Sequence, residues 1–286
     1  MVIIPFSACS SGDDGEGNDP NDQPSSVTVS FNSSITSFDS YSETYFEIPF
    51  GNENEISVFA IGSNQNERLY DSGNYADNIR YVYRNGMFSP AYNGISVPKD
   101  GSSLSYYAIS PYNAQNRNEM SFNVLSDQSS LNNYSKSDLL TAWTPATASS
   151  LPYLKFEHSM SQVCIDVISD KKDKDFTPIL YVRTFSDVKV EANTYNAIGN
   201  RTNVFTYYDS NTDNHYALIP PQSYSRSEMF LYIRYAGEEY PIEFTNTISF
   251  VSGSQSLLTV TMELDDNGNY HFIALGGQIN PWNNVN

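Results

Sequence analysis

The sequence predicts an all-β protein built from two β-sandwiches, and three observations support this prediction. After residue 25, apolar and polar residues alternate over many short stretches, as they do in strands with one buried face. Aromatic residues make up 14% of the chain, led by 22 Tyr and 16 Phe, and aromatic rings pack well on a pleated sheet. No window shows a sustained helical period. Many short strands separated by turns rich in Gly, Asn, Asp, Ser and Pro are typical of β-sandwiches.

The first half of the chain contains several stretches with strand character. The apolar residues at 27, 29 and 31 alternate with Thr28 and Ser30, which is the period of two expected for a half-buried strand. Asn85 and Gly86 separate two apolar stretches and supply the positive φ angles that a tight hairpin turn requires. The strands predicted in this half are 27–31, 46–50, 56–61, 79–83, 87–88, 104–109 and 121–124.

The second half repeats this pattern. A polar turn at 265–269 links the last two strands. The strands predicted in this half are 163–168, 179–185, 216–219, 229–235, 242–244, 257–264 and 270–275. Small residues at 143–150 are expected to form a linker near the middle of the chain. The predicted organisation is a tether at 1–25, an N-terminal β-sandwich at 26–148 and a C-terminal β-sandwich at 149–286.

The N-terminus has the features of a lipid anchor followed by a tether. Residues 1–8 form a short apolar run that ends in small residues before Cys9, and Phe6–Cys9 resembles a bacterial lipobox in which Cys9 is acylated. The run is too short to span a bilayer and has no positive residue, so we expect the natural start to lie upstream. Residues 10–24 are rich in Gly, Asp, Asn and Pro, with almost nothing to bury. The alternative is a frayed terminus in which the cysteine occurs by chance.

The formal net charge is -18, which restricts the partners of the chain. A phosphate backbone is repelled by such a field, so nucleic acid is not an expected partner. Anionic membrane surfaces are disfavoured for the same reason. Membrane contact is therefore expected only through the N-terminal lipid.

Neither a metal site nor a cofactor site is predicted. His158, His215 and His271 fall on different predicted strands, without the close spacing that zinc ligands need, and His158 is expected to be structural. The acidic loops 209–213 and 265–269 have oxygen donors close together, as calcium loops do. They lack the late bidentate acid and the flanking helices of an EF-hand, so plain turns are favoured.

Catalysis is not predicted either. The sequence contains no phosphate-binding Gly-rich loop, no Gly-x-Ser-x-Gly motif and no Cys/His nucleophile pairing. A glycosidase with its two acids on distant strands is the alternative that this reasoning leaves open. The prediction is a protein that is not an enzyme.

Several short motifs between residues 104 and 282 resemble the motifs of one protein family. The phrases are Leu-Ser-Tyr-Tyr-Ala-Ile-Ser-Pro-Tyr at 104–112, Asp-Gln followed by Asp-Leu-Leu-Thr-Ala at 127–142, Phe-Glu-His-Ser-Met-Ser-Gln-Val at 156–163, Leu-Ile-Pro-Pro-Gln at 218–222 and Ile-Asn-Pro-Trp at 279–282. In this order they resemble the fimbrillin family, the subunits and accessory proteins of type V pili. The same residues also have plain structural roles, with Phe156 and Val163 expected in the core.

The resemblance implies an outer-membrane lipoprotein with two tandem transthyretin-like β-sandwich domains, located at the cell surface and in the fimbrium. The implied partners are other pilus subunits, or receptors on host or bacterial surfaces. The implied assembly mechanism is strand donation. In stalk subunits of the family a trypsin-like protease removes the first strand, and a strand from the next subunit fills the groove. The resemblance supplies no ligand-binding residue.

The distribution of basic residues argues against a stalk role. The chain has no Lys or Arg between Cys9 and Arg68, although three predicted strands lie there. A trypsin-like cut after the first strand alone is therefore impossible. We expect an accessory, anchor or tip subunit, or a separate adhesin. The alternative is a surface lipoprotein that binds glycans by stacking on tyrosines such as those at 106–107 and 207–208.

Overall fold

Strands are the dominant secondary structure of the described residues and the one α-helix is short, so the all-β prediction is confirmed. The structure is a computed structural model, and it describes residues 26–39, 46–169, 176–191 and 194–278. These residues form nineteen strands, one short α-helix and one turn of 3-10 helix at Ser63–Gln65. Within the same residues, no helix has the length and apolar character needed to cross a membrane.

The strands and the helix follow one another in chain order. Those before residue 160 are β1 (Asn32–Ile35), β2 (Glu55–Gly62), β3 (Ala76–Arg84), β4 (Met87–Pro90), β5 (Leu104–Ser110), β6 (Glu119–Asn123), α1 (Leu131–Lys136), β7 (Leu140–Thr147) and β8 (Tyr153–His158). Those after it are β9 (Ser161–Ile168), β10 (Ile179–Glu191), β11 (Thr194–Phe205), β12 (Tyr207–Asp209), β13 (Asn214–Ile219), β14 (Gln222–Tyr224), β15 (Leu231–Tyr235), β16 (Glu238–Ile242), β17 (Ile248–Phe250), β18 (Gln255–Leu264) and β19 (Tyr270–Gln278).

The first sheet has seven strands in the order β1-β8-β7-β5-β2-β3-β4. All its pairs are antiparallel except β1 with β8, which is parallel. The predicted hairpin is confirmed, because Asn85 and Gly86 join β3 to β4 with φ angles of 52° and 85°. Both angles lie in the left-handed region that this tight turn needs.

The second half of the chain forms two five-stranded sheets and a two-stranded one. One five-stranded sheet has the order β11-β10-β15-β16, with β6 paired to the far end of β10. The other has the order β12-β13-β9-β18-β19, in which β9 and β18 are parallel. Strands β14 and β17 form the small sheet. Because β6 precedes residue 148 and pairs with β10, the first half contributes a strand to a sheet of the second half.

The described residues contain two hydrophobic clusters. The first cluster lies on the inner face of the seven-stranded sheet and includes Phe31, Tyr106 and Phe156. The second cluster is larger and includes Tyr107 and Val163. The core positions predicted for Phe156 and Val163 are confirmed, since both side chains are fully buried.

Strand β5 is buried on both faces because each cluster packs against one of them. The adjacent β5 residues Tyr106 and Tyr107 point to opposite faces of the sheet, as predicted. Their side chains are nevertheless only 1% and 6% exposed. The idea that this pair offers an exposed stacking ring is therefore wrong. Of the second pair, Tyr207 is half-buried and Tyr208 is 46% exposed.

Residues 46–50 do not form the predicted strand. The ring of Phe46 packs against Tyr216 at 5.2 Å, and the ring of Phe50 packs against Phe156 at 5.0 Å between centroids. These partners belong to different clusters. The stretch therefore crosses between the clusters in an irregular conformation rather than pairing along one sheet.

The predicted linker at 143–150 is also corrected, because its first five residues belong to β7. Strand β8 follows at once and pairs with β7 in the same sheet. Small residues with a proline resembled a linker, yet backbone pairing with β5 holds them in a strand. The division into domains at 26–148 and 149–286 stays a prediction.

Candidate functional site

The predicted lipid anchor, the tether and the last motif of the sequence lie outside the described residues. These are Cys9, the tether at 1–25 and Trp282. Lipidation at Cys9 therefore stays a prediction.

The histidines, which sequence analysis rejected as metal ligands, contact nearby side chains. His158 is buried, its Nδ1 lies 2.9 Å from Oδ1 of Asp138, and its ring stacks on Phe38 with 3.6 Å between centroids. Nδ1 of His215 lies 3.1 Å from the Thr206 hydroxyl. The described residues contain no group of three or more His, Cys, Asp or Glu side chains arranged to hold a metal ion.

The two acidic loops are turns closed by their own carboxylates. Asp265 accepts hydrogen bonds from the side-chain and backbone N–H groups of Asn269, which hold its pKa well below the ordinary value. Asp209 accepts from the backbone N–H of Asn211 at 3.1 Å and from the Thr212 hydroxyl at 3.0 Å. Each carboxylate satisfies backbone or side-chain donors of its own loop, as Asx-type turns do.

The most distinctive feature of the described chain is its first stretch, residues 26–39, which we call the N-terminal segment. It lies in a groove between the two edges of the seven-stranded sheet. On the β4 side, Phe31 and Phe88 exchange two backbone hydrogen bonds of 2.9 Å. The backbone N–H of Val29 also donates to the Ile95 carbonyl at 2.8 Å. The segment therefore pairs with this edge although it is not part of the same hairpin.

The opposite side of the N-terminal segment pairs with β8. Residues of β1 run parallel to β8, with Asn32 opposite Tyr153 and Ile35 opposite Phe156. The pairing continues at the end of the strand, where the Thr36 N–H donates to the Phe156 carbonyl at 2.8 Å. Bonds on both sides make the segment the strand that closes the seven-stranded sheet.

Side chains of the N-terminal segment fill the first cluster. Val29 and Phe31 are fully buried, and the Phe31 ring makes edge-to-face contacts with Tyr81 and Tyr106, both at 5.1 Å. Burying a side chain of this size contributes roughly 1.5–3 kcal/mol. The segment therefore contributes side chains to the hydrophobic core as well as backbone hydrogen bonds to the sheet.

The Tyr81 hydroxyl ties the segment to the loop after β4. It donates to the Val29 carbonyl at 3.1 Å and accepts from the Ile95 N–H at 3.1 Å. Burial raises the pKa of Tyr81 to about 12, because the charged phenolate is poorly solvated there. The neutral hydroxyl therefore bridges the two backbones throughout the physiological range.

The end of the N-terminal segment reaches the second cluster. Phe38 is only 5% exposed and stacks on His158, which Asp138 orients. The Asp39 N–H donates to the Gly253 carbonyl, and the Gln255 N–H donates to the Asp39 carbonyl, both at 2.9 Å. One segment of fourteen residues, 26–39, therefore joins both clusters.

Gly94 allows the N-terminal segment to approach closely. A Cβ atom on Gly94 would lie 2.5 Å from both Cγ2 of Thr28 and Cγ of Pro90. Real side chains do not tolerate such a contact, so a larger residue would push the segment away from the loop after β4.

Sequence analysis identified only part of this site. The alternation of Val29 and Phe31 indicated a strand, but residues 27–31 form only isolated bridges, and the continuous strand begins at Asn32. Val27, expected on the buried face, is 57% exposed. The parallel pairing with β8 joins residues more than a hundred positions apart, and no local signal indicates it.

Arg68 lies beyond the site, in the exposed loop after β2. Strand β2 is central in the seven-stranded sheet, bonded to β5 on one side and to β3 on the other. A chain cut after Arg68 would therefore separate β2, together with the N-terminal segment, from the rest of the sheet.

These features define an all-β protein in which a terminal strand occupies a groove between two sheet edges. Among solved structures, the chain is similar to a proposed cell adhesion protein of Bacteroides uniformis, with 17% identity, a TM-score of 0.62 and coverage of 90% of this chain and 99% of the other. It is also similar to a proposed cell adhesion protein of Bacteroides ovatus, with 14% identity, a TM-score of 0.66 and coverage of 88% and 97%. A fimbrial protein of Bacteroides ovatus matches with 17% identity, a TM-score of 0.50 and coverage of 86% of this chain and 53% of the other. At these identities the likeness shows the fold.

The family follows from the sequence profile of the Fimbrillin-like family, which matches residues 44–282. This match spans well over half of the chain, so the protein belongs to the fimbrillin-like family. None of the curated proteins matches the chain. The resemblance drawn from the sequence phrases is confirmed.

Proposed function

We propose that this protein is a non-catalytic accessory, anchor or tip subunit of a fimbrium, held at the outer-membrane surface by a lipid on Cys9. In this proposal, residues 1–25 tether two transthyretin-like sandwiches at 26–148 and 149–286. The subunit joins its neighbours by donating a strand rather than by accepting one in its own groove, and it meets other pilus subunits or surface receptors. Membership of the fimbrillin-like family supports the fimbrial and cell-surface role.

The observation that carries the proposal is the absence of Lys and Arg before Arg68. The groove holds its own N-terminal segment through backbone bonds on both sides and through the buried Phe31. A trypsin-like protease has no site between this segment and β2. Removing everything up to Arg68 would leave β3 and β5 with unpaired edges, which is costly for buried backbone groups. We infer that the segment stays in place and that the subunit ends a fibre or anchors it.

The proposal is tested by isolating the protein from the cell surface together with its bound partners and analysing both by mass spectrometry. The expected result is a mature chain that begins at an acylated Cys9, retains residues 26–39 and carries other fimbrial subunits with it. A Cys9→Ala variant is expected to lose surface retention while still folding. A surface-assembled chain that begins within residues 27–69 and lacks Cys9 would contradict the proposal.

Glycan binding at the cell surface is the second candidate role. Exposed aromatic side chains on the outer face of β7 and β8, Trp143 and Tyr153, favour it. They do not belong to the N-terminal groove, so both roles are compatible in one subunit.

A further inference from the structure

Two large aromatic side chains lie exposed on neighbouring strands of the first sheet. Trp143 on β7 is 38% exposed and Tyr153 on β8 is 53% exposed. Tryptophan side chains are highly buried on average. A patch of neighbouring exposed apolar side chains, unlike a single one, is a sign of a binding surface. We call Trp143, Tyr153 and the residues around them on this face the aromatic platform.

The register of the sheet places both rings on the same face. Ala142 lies opposite Phe156, and both point into the first cluster. The adjacent residues Trp143 and Lys155 therefore point outward. Tyr153, two residues before Lys155 on β8, lies on the same outward face. Diagonal neighbours of this kind are about 7–8 Å apart, which is within reach of long side chains.

The backbone of the aromatic platform is held in place. The Thr144 hydroxyl donates to the Tyr153 carbonyl at 2.6 Å and joins β7 to β8 between the two rings. On the far side, β8 is fixed by its parallel pairing with β1. The two rings therefore stand on a rigid surface rather than on a loop.

The aromatic platform is the part of this sheet face that β11 leaves open. The Thr141 hydroxyl lies 3.1 Å from the Tyr195 hydroxyl of β11, and Tyr107, opposite Trp143 on β5, is buried. Two residues beyond Thr141, Trp143 emerges into solvent. The edge of β11 thus borders the platform on one side.

Polar groups surround the rings. Lys155 and Glu157 are exposed on the same face of β8, and on β1 Asn32 lies opposite Tyr153 and Ser34 lies opposite Lys155. The two charges cancel, although the whole chain carries -18. The platform therefore combines apolar ring faces with amide and hydroxyl groups and with one positive and one negative side chain, Lys155 and Glu157, whose formal charges sum to zero.

We propose that the aromatic platform binds a neutral oligosaccharide. Aromatic rings stack on the apolar C–H faces of sugars, while amide, hydroxyl and charged side chains exchange hydrogen bonds with sugar hydroxyls. A stable protein partner needs roughly 800 Å² of surface with a largely apolar centre, which two rings bordered by charged groups do not provide. The absence of net charge favours a neutral ligand over an acidic one. This inference rests on the proposed surface role, since it specifies what the subunit adheres to.

The test uses a Trp282→Phe background, which leaves Trp143 as the single tryptophan because the chain has two. The probes are neutral hexasaccharides of glucose, mannose, galactose or xylose, with sialylated and sulfated glycans as the acidic comparison. We expect at least one neutral probe to change the emission of Trp143 saturably. By calorimetry, Trp143→Ala and Tyr153→Ala should each weaken that binding roughly twofold to tenfold, the factor expected from losing one stacking contact.

Tyr92→Ala is the matched control, because Tyr92 is 84% exposed and lies in the loop after β4, on neither of the two strands that carry the platform rings. It should bind as the unchanged protein does, and circular dichroism confirms that each variant folds. If Trp143→Ala unfolds, Tyr153→Ala alone decides the matter. No saturable response to any neutral probe at millimolar sugar would overturn the inference, as would binding of acidic glycans only or an equal loss in Tyr92→Ala. Any of these results leaves the mature N-terminus and the fimbrial partners unaffected, so the proposed function is tested separately.

Discussion

Replacing Phe31 with alanine tests whether the N-terminal segment is part of the core. The side chain is fully buried and meets Tyr81 and Tyr106 edge-to-face at 5.1 Å. Truncating a buried phenylalanine to alanine typically costs about 3–5 kcal/mol, since apolar contact is lost and a cavity remains. We expect Phe31→Ala to lower the free energy of unfolding by an amount within that range.

The assay is equilibrium unfolding in urea, followed by far-UV circular dichroism with Val27→Ala as control. Val27 lies in the same segment but is 57% exposed, so its truncation should change the free energy of unfolding by no more than about 0.5 kcal/mol. A loss below about 1 kcal/mol for Phe31→Ala would refute the reasoning, because it would mean that the segment packs loosely in its groove.

Three further predictions concern the same segment. Gly94→Ala places a methyl group against Thr28 and Pro90, and it should destabilise the protein by about 1–3 kcal/mol in urea unfolding. The pKa of Tyr81 is raised from 10 to about 12 by folding. The stability that the neutral Tyr81 hydroxyl contributes is therefore complete below pH 10 and is lost as the pH rises from 10 to 12. Tyr81→Phe should flatten this part of a plot of unfolding free energy against pH. Asn52→Arg, in the exposed turn before β2, should create a trypsin site that separates the N-terminal segment from an intact β2, as intact-mass analysis would show.

Each of these predictions has a control or a contradicting result. Gly51→Ala is matched to Gly94→Ala, because its Cβ would meet only Asn54 Oδ1, at 3.8 Å, and it should be nearly neutral. An unchanged alkaline slope in Tyr81→Phe would mean that other buried tyrosines account for the pH dependence. Release of the N-terminal segment from the unchanged protein under the same trypsin treatment would contradict the analysis of Arg68.

The parts of the fold that the sequence predicted are those fixed by local chemistry. Asn85 and Gly86 determine the β3–β4 turn because few other residues adopt two consecutive positive φ angles. Alternation located strand β18 for a similar reason, since one residue in two faces the core.

The parts that it missed depend on distant contacts. Strand β11 was not predicted, because it is a sheet edge whose residues are mostly exposed or half-buried and show no clear alternation. The strand at 143–147 resembled a linker until its pairing with β5 was known. The aromatic platform was missed as well, since Trp143 fell in that expected linker. Its only sequence signal was a tryptophan among small polar residues.

The N-terminal groove combines a local pattern that the sequence shows with distant contacts that it does not show. The alternation of Val29 and Phe31 predicted a strand. Its two partners, β4 and β8, lie on opposite sides of the segment and are distant from it in the sequence. The absence of Lys and Arg before Arg68 is visible in the sequence alone. Its meaning depends on the position of β2 in the centre of the sheet, which only the structure supplies.

Native-state hydrogen exchange of the Phe31 and Thr36 amides measures most directly whether residues 26–39 are an integral strand. Both N–H groups donate to buried backbone carbonyls, those of Phe88 and Phe156. We predict that they exchange only through opening of the whole seven-stranded sheet, as slowly as amides of β5. Exchange at the rate of an unprotected loop, with β5 still protected, would show that the groove does not hold its own strand.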